Sequence, residues 1–415
     1  MKVEQVCAAS QAASRAMATL TRERKDEALA AVAEAIERRA GEILAENRED
    51  VTLARANRLP DALIDRLLLD EDRLSESAAG VRALAAFSDP VGRIVDGWRL
   101  ENGIGLQKVR VPLGVVAVVY EARPLVTVDA ACLCLKTGNA AILRGGTGAK
   151  HSNRILAEVV QGAILEAGLP REAVSYLSPD RRELAELLEQ RRYVDLVIPR
   201  GGEQLKDYLL EHSKVPVVYA AGGNCHVYVD AAADLDKAAA IIVNAKCQRP
   251  GVCNAAETLL VHEAAATAFL PRAAEGLKRC GVELIVDEAA AGILDDASLR
   301  RAAETDYATE FLALKLAVHV VASVDEAMDH IARYGTRHSE VIVTDDLVAA
   351  RRFTAEVDAA CVFVNASTRF TDGGQFGLGA EMGISTQKLH VRGPIALDEL
   401  TCVKYVLWGD GQVRE

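Results

Sequence analysis

The spacing of apolar residues changes character along this chain. Between residues 22 and 58, Leu29, Val32 and Ile36 recur every three to four positions among charges such as Glu34, Glu37 and Arg38. That period predicts amphipathic helices. Near residue 112 the pattern changes. Leu113 to Tyr120 is a Val-rich run without polar alternation, the pattern of a strand buried on both faces. Val126 to Leu135 predicts a helix, closed by Lys136-Thr137-Gly138-Asn139. Ala140 to Arg144 is the next strand, followed by Gly145-Gly146-Thr147-Gly148 and a helix from Ser152 to about Ala167. The unit recurs: Val194 to Ile198 runs into Pro199-Arg200-Gly201-Gly202 and a helix, and Val215 to Tyr219 runs into Ala220-Ala221-Gly222-Gly223. Alternation of this kind predicts a parallel sheet covered by helices, with ligands at the strand C-terminal ends where the glycine turns lie.

A second α/β unit is predicted after a boundary around residues 223 to 232. Its strands are Glu257 to Val261, Leu284 to Val286, Ala317 to Val321, Glu340 to Val343 and Cys361 to Val364. The expected domains are therefore 1–225 and 226–390. Arg99 to Val111 and Leu400 to Leu407 read as short strands outside both. Residues 99–111 and 395–409 are expected to form a small β arm that pairs with a second subunit, since an open strand edge recruits a partner.

Composition narrows the function classes. At 415 residues the chain is long enough for two or three domains with substantial cores. A formal net charge of −12 argues against nucleic acid or an anionic membrane as the main partner. It leaves room for an anionic substrate held by a local cluster of Arg and Lys. The nine cysteines include no CxxC pair and no metal-like Cys/His spacing, so no metal is expected. They read as thiols in a reducing compartment. The first twenty residues lack a signal-peptide core, and no apolar run is long enough to span a bilayer. A cytoplasmic protein is expected.

The densest candidate chemistry is Gln248-Arg249-Pro250-Gly251-Val252-Cys253-Asn254. Cys253 follows a Pro-Gly turn and precedes an apolar run, so its side chain can face a ligand. Arg249 lies four residues upstream and Lys246 three before that; nearby cations favour the nucleophilic thiolate. The competing reading is one more buried cysteine. Val364 to Glu381 holds four glycines in seven residues, from Gly373 to Gly379, which suits a loop around a ligand. Within it Arg369 is a fork for carboxylate or phosphate; a surface loop with a solvated arginine is the alternative. Arg144-Gly145-Gly146 and Arg200-Gly201-Gly202 follow strands and precede helices, where backbone can approach phosphate. Neither matches a nucleotide fingerprint, and both also fit ordinary β–α turns. Arg144 favours NADP over NAD on charge. His226 is either a satisfied structural histidine or part of the site of a departing anion.

Several of these segments together resemble a known family. Tyr120-Glu121-Ala122-Arg123-Pro124, Leu133 to Ala140, Pro199 to Gly202, Cys225 to Asp230 and the run from Val364 to Leu389 are similar to the γ-glutamyl phosphate reductases of the aldehyde dehydrogenase superfamily. The resemblance covers roughly residues 10 to 408. It implies an aldehyde-dehydrogenase-like α/β fold with two Rossmann-like domains and a small β oligomerisation arm. The first domain would bind NADPH and the second would carry Cys253. It implies the second step of proline biosynthesis: NADPH-dependent reduction of L-glutamyl 5-phosphate to glutamate 5-semialdehyde and phosphate. Cys253 matches the nucleophile, with Asn254 beside it. Glu310 matches the acidic residue that holds the nicotinamide ribose. Arg144, Gly145 and Gly146 fall at the adenosine ribose, and Gly201 and Gly202 complete the cofactor set. Arg123, Arg249 and Arg369, with Lys388 and His226, are the cations expected to hold the substrate's anionic groups. The expected partners are a homodimer or higher homo-oligomer and a separate glutamate kinase that makes the labile substrate.

Two departures sharpen the alternatives. Hydrolytic aldehyde dehydrogenases carry a Glu-Leu-Gly-Gly run whose glutamate activates water; here the stretch is Ala220-Ala221-Gly222-Gly223, without a carboxylate. That argues against a hydrolytic enzyme. After Arg123-Pro124 the family usually has Asn, a side-chain donor to the oxyanion, and here Leu125 has no such donor. Leu125 is the support for the other alternative, a non-catalytic relative that only binds nucleotide.

Overall fold

The structure is a computed structural model that describes residues 2–121, 123–220 and 222–414, the Ala62 side chain excepted. Ala122 and Ala221, which fall inside motifs quoted above, lie outside the described residues. The chain forms two compact units: Met1–Tyr219 with Gly377–Gly383 and Ile395–Glu415, and Ala220–Phe376 with Ile384–Pro394.

The first unit is built on a four-stranded parallel sheet. Its spatial order is Val174–Tyr176, Ala140–Arg144, Val115–Tyr120, Leu196–Arg200. Every side chain of Val115–Tyr120 is buried, as its unbroken apolar pattern requires of a strand covered on both faces. Helices Val126–Lys136 and Lys150–Glu166 pack beside it through residues such as Val128, Leu135, Leu156 and Val160. Cys132 and Cys134 are core residues, and burial pushes the Cys134 thiol up to about 12. Val119 pairs with Arg144 and Tyr120 with Arg200. The turns that follow, at Glu121, Gly145 and Gly201, therefore lie side by side at the C-terminal edge. The strand order reverses at Val115–Tyr120, where open α/β sheets receive ligands.

Val215–Tyr219 departs from its predicted strand. Among the described residues it meets the sheet through the bridge of Val197 with Val217. Pro216 accepts a bond from the Val197 N–H but has no N–H to donate, so the ladder stops. The sequence around Arg99 also differs in detail. Leu100 to Ile104 is a turn, and it joins Ile94–Arg99 to Gly105–Pro112 as an antiparallel hairpin, with Thr401–Trp408 paired on the other side.

The second unit is a seven-stranded parallel sheet. Its order is Arg300–Arg301, Glu283–Val286, Lys315–Val321, Ala256–His262, Cys225–Val229, Ser339–Val343, Cys361–Val364. Cys225–Val229 and Ala256–His262 are central and almost wholly buried. Helices Leu235–Cys247 and Glu263–Arg279 cover one face through Ile242, Ala245, Phe269 and Leu277. No described helix is long and apolar enough to cross a membrane.

Candidate active site

Helix Leu235–Cys247 ends just before Pro250, because the residue preceding a proline is pushed out of the helical region. The chain then makes a β-turn, closed by the Ala255 N–H donating to the Val252 carbonyl at 3.1 Å. Cys253 and Asn254 occupy its two corners, immediately before strand Ala256–His262. The turn thus lifts Cys253 out of the core at the end of a buried strand, and Cys253 is partly exposed.

Gly223 explains how closely this turn is held. A Cβ on Gly223 would lie 1.5 Å from the Cys253 carbonyl oxygen, so only glycine fits. A Cβ on Gly222 would lie 2.5 Å from Glu310 Oε2, and the Gly223 N–H donates to Glu310 Oε1 at 2.6 Å. Glu310 and Cys253 therefore flank one glycine pair. Gly223→Ala should displace the nucleophile's backbone and lower turnover roughly 10²-fold, the usual consequence of a misplacement near 1 Å. A steady-state assay beside a thermal melt checks this. An unchanged kcat would mean the contact is not needed.

Arg369 and Arg249 supply the positive field of the turn. The Arg369 Nε donates to the Gln248 side chain at 2.7 Å. Burial holds the Arg369 guanidinium below its ordinary value, the Arg249 charge adds to this, and Asp372 and Cys253 oppose it. Arg369 feels the repulsion of Arg249 and the pull of Cys253, and an anionic ligand would relieve the repulsion between the two guanidinium groups. Asn254 is turned away from this face: its Nδ2 donates to the Thr371 carbonyl at 2.9 Å and reaches the Arg369 carbonyl at 3.5 Å. Its side chain ties the turn to the glycine-rich loop.

Other sequence candidates occupy different surroundings. Lys246 is fully buried and paired with the fully buried Glu257 at 2.6 Å, so it is not the open cation beside Cys253 that the sequence suggested. Burial holds the Lys246 ammonium below its ordinary value and pushes the Glu257 carboxyl up to about 7. Glu257 also accepts from the N–H of Leu312, whose φ of 51° is unusual for a non-glycine residue. His226 is fully buried, and Glu340 Oε2 accepts from its backbone N–H at 2.9 Å and lies 3.0 Å from its Nδ1. Those contacts favour the structural reading of His226. Lys388 pairs with Asp358 at 2.9 Å, and with Arg392 it holds the Asp358 carboxyl down at about 2.

In the first unit, Arg123 is exposed on the turn leading into helix Val126–Lys136. Arg144 donates to the Pro179 carbonyl at 2.6 Å, and its Nε is buried without a partner. The Gly202 N–H donates to Glu121 Oε2 at 3.0 Å, so a carboxylate already sits at that helix N-terminus. The N-terminus of Lys150–Glu166 is likewise capped, by Asp50 accepting from the His151 and Ser152 N–H groups. A cleft at the sheet's reversal point is lined by Val118, Val126, Asp129, Arg200, Glu381 and Met382. Asp129 is surrounded by protein yet reached by solvent through this cleft, and desolvation pushes its carboxyl up to about 6 against the pull of Arg200. The sequence reading passed over Asp129. The available signal was one carboxylate between Val128 and Ala130 in an apolar helix.

A model of the aldehyde dehydrogenase family matches residues 1–292. The chain belongs to the aldehyde dehydrogenase family. It is 53% identical over 404 residues to a γ-glutamyl phosphate reductase of Moorella thermoacetica, covering 97% of this chain and 96% of that protein. A γ-glutamyl phosphate reductase of Thermobifida fusca is 51% identical over 413 residues, covering 99% of this chain and 98% of the other. The crystal structure of γ-glutamyl phosphate reductase from Thermotoga maritima matches with a TM-score of 0.97 and 44% identity, over 100% of both chains. The fold is thus that of an aldehyde dehydrogenase, and the chain is an oxidoreductase of a family that uses nicotinamide cofactors.

Proposed function

We propose that this chain reduces L-glutamyl 5-phosphate with NADPH to L-glutamate 5-semialdehyde and phosphate, the second step of proline biosynthesis. The observation that carries the reading is Cys253 at the corner of a β-turn, within the field of Arg369, which Arg249 in turn repels. It stands in a chain about half identical, over nearly its whole length, to proteins named for this reaction.

The Cys253 thiolate adds to the acyl carbonyl, and its sulfur electron pair becomes the new C–S bond. Collapse breaks the bond to phosphate, which leaves with that bond's electron pair. Arg249 and Arg369 attract the phosphate as its charge grows. NADPH, when bound, supplies the hydride that reduces the thioester. The resulting thiohemiacetal expels the Cys253 sulfur and releases the aldehyde. No carboxylate stands in Ala220-Ala221-Gly222-Gly223 at the place where hydrolytic relatives carry their water-activating glutamate, which favours reduction over hydrolysis.

The residues fit a nicotinamide nucleotide at its reactive end. Glu310 is a carboxylate beside a glycine pair with no room for a side chain, the chemistry that takes a ribose diol. Arg144, Gly145, Gly146, Gly201 and Gly202 remain the candidates for the adenosine and phosphate end. Arg144 is the cation proposed for a 2′-phosphate at that end. The chain is proposed to act in the cytoplasm, on substrate from a separate glutamate kinase. The sheet of Ile94–Arg99, Gly105–Pro112 and Thr401–Trp408 leaves Ile94, Trp98, Tyr405, Leu407 and Trp408 exposed, and it is proposed as the homo-oligomer contact.

The test is the reverse reaction, glutamate 5-semialdehyde with NADP, followed as NADPH at 340 nm with and without inorganic phosphate. NADPH formation should require phosphate. Formation at the same rate without phosphate would identify a hydrolytic enzyme, and none despite nucleotide binding a non-catalytic relative.

A further inference from the structure

Cys253 and Asn254 are the corners of the turn Val252–Ala255, and the peptide joining them takes no part in the bond that closes it. Type I and type II turns differ by a flip of about 180° of this central peptide. The flip exchanges the directions of the Cys253 carbonyl and the Asn254 N–H, which point opposite ways across a trans peptide. Asn254 is not at positive φ, so the turn is of type I; the flipped form would put Asn254 at positive φ, which asparagine tolerates better than most residues.

The structure holds one of them. The Cys225 thiol, fully buried at the start of Cys225–Val229, donates to the Cys253 carbonyl at 3.2 Å. The backbone of Gly223 closes on the same oxygen. Cys225 is itself fixed, with its sulfur 3.7 Å from His338 Nδ1. That nitrogen lies 2.8 Å from Ser339 Oγ, which lies 2.6 Å from Thr371 Oγ1. Asn254 reaches the same residue through its bond to the Thr371 carbonyl. Burial raises the Cys225 thiol well above its ordinary value, and Glu340, Cys253, Glu257 and Glu310 add to this. It stays protonated and remains a donor. Burial likewise lowers His338 to about 4, so no cation forms beside it at neutral pH.

With its carbonyl drawn onto Cys225, the peptide turns the Asn254 N–H the other way. The Asn254 side-chain amide is committed to Thr371. Backbone N–H groups are what remains for the oxyanion that forms as sulfur adds to an acyl carbonyl. We propose that Cys225 is a positioning residue, whose thiol latches the Cys253–Asn254 peptide so that the Asn254 N–H joins that of Cys253 in stabilising the oxyanion. The proposal rests on Cys253 being the acyl-accepting nucleophile proposed above.

The test separates acyl transfer, which passes through an oxyanion, from alkylation, which does not. Acylation of the holoprotein by p-nitrophenyl acetate is read as the p-nitrophenolate burst, with Cys253→Ala as background. Alkylation by iodoacetamide is followed on the Cys253 peptide by mass spectrometry. Cys225→Ala should slow acylation roughly 10- to 100-fold, in the range for a weakened oxyanion donor, and leave alkylation within about twofold. Cys225→Ser keeps a hydroxyl donor and should restore acylation to within about threefold of wild type. In the phosphate-dependent assay the loss should fall on kcat with KM unchanged. Acylation and alkylation slowing by one factor, acylation as fast as wild type in Cys225→Ala, or no recovery in Cys225→Ser would each overturn the latch. A burst that survives in Cys253→Ala would instead remove the nucleophile reading beneath it. Absence of phosphate-dependent turnover with the acylation-to-alkylation ratio shifted as expected would remove the substrate reading and leave the latch standing.

Discussion

Replacing Cys253 by alanine is expected to lower phosphate-dependent NADPH formation by at least about 10⁴-fold, as removal of a covalent nucleophile does elsewhere. Nucleotide binding, read from the fluorescence of bound NADPH, should persist, because Glu310 is held by the Gly223 backbone N–H, which the substitution leaves in place. The size of the loss follows from what surrounds the site. A second thiolate is the only ready substitute, and the neighbouring thiols are held protonated. Cys225 is nearest, bonded to the Cys253 carbonyl, and its thiol lies well above its ordinary value. Burial, with a contact from the Cys280 side chain, pushes Cys247 up to about 12. Water is no better a stand-in, since hydrolysis yields the acid and no aldehyde. Retention of more than a few per cent of wild-type turnover would mean that hydride reaches the acyl group without a thioester. Cys253 would then be a structural residue of the turn.

How much of this was written in the sequence depends on the range of the interaction. Val115–Tyr120 and Ala140–Arg144 were legible because a strand covered on both faces must be apolar at every position, which is a local signal. The Cys253 turn was legible for a similar reason, since Pro250 restricts its own backbone and that of Arg249, and Gly251 accepts turn conformations that other residues avoid. Val215–Tyr219 failed because the same β-rich composition hides one missing N–H at Pro216. Side-chain roles depended on partners far along the chain. His226 meets Glu340 because Cys225–Val229 and Ser339–Val343 are adjacent, and no local pattern announces that pairing. The Asn254 side chain meets Thr371, more than a hundred residues away, and nothing in the local sequence signals that bond. The glycine turns were readable as turns. Their capping by Glu121 and Asp50 was not, because each cap comes from another element.

Lys246→Met is expected to destabilise the protein by about 3–5 kcal/mol, the usual consequence of leaving one member of a buried ion pair unpaired. For a unit of this size that is roughly a 6–20 °C fall in melting temperature. Lys246 and Glu257 are both fully buried and 2.6 Å apart, and Glu257 is further disfavoured by the charge of Glu310. Even with its partner present the Glu257 carboxyl is raised from 4.5 to about 7, since burial outweighs the pull of the ammonium. Removing the ammonium raises it further. An acid whose folded-state pKa lies above its unfolded value contributes stability that is whole below the unfolded pKa and is lost as pH rises through the folded one. The deficit of Lys246→Met should therefore be small near pH 5 and grow through pH 7 and above. The double variant Lys246→Met with Glu257→Gln should recover most of the loss at every pH, because a neutral amide can still accept from the Leu312 N–H. Thermal melts of the three proteins between pH 5 and pH 8.5 decide it. A deficit that does not change with pH, or a double variant no better than the single one, would show that side-chain volume and not charge governs this position. The pair would then fill space under strand Ala256–His262, and Glu257 would have no electrostatic part in holding the Leu312 backbone next to Glu310.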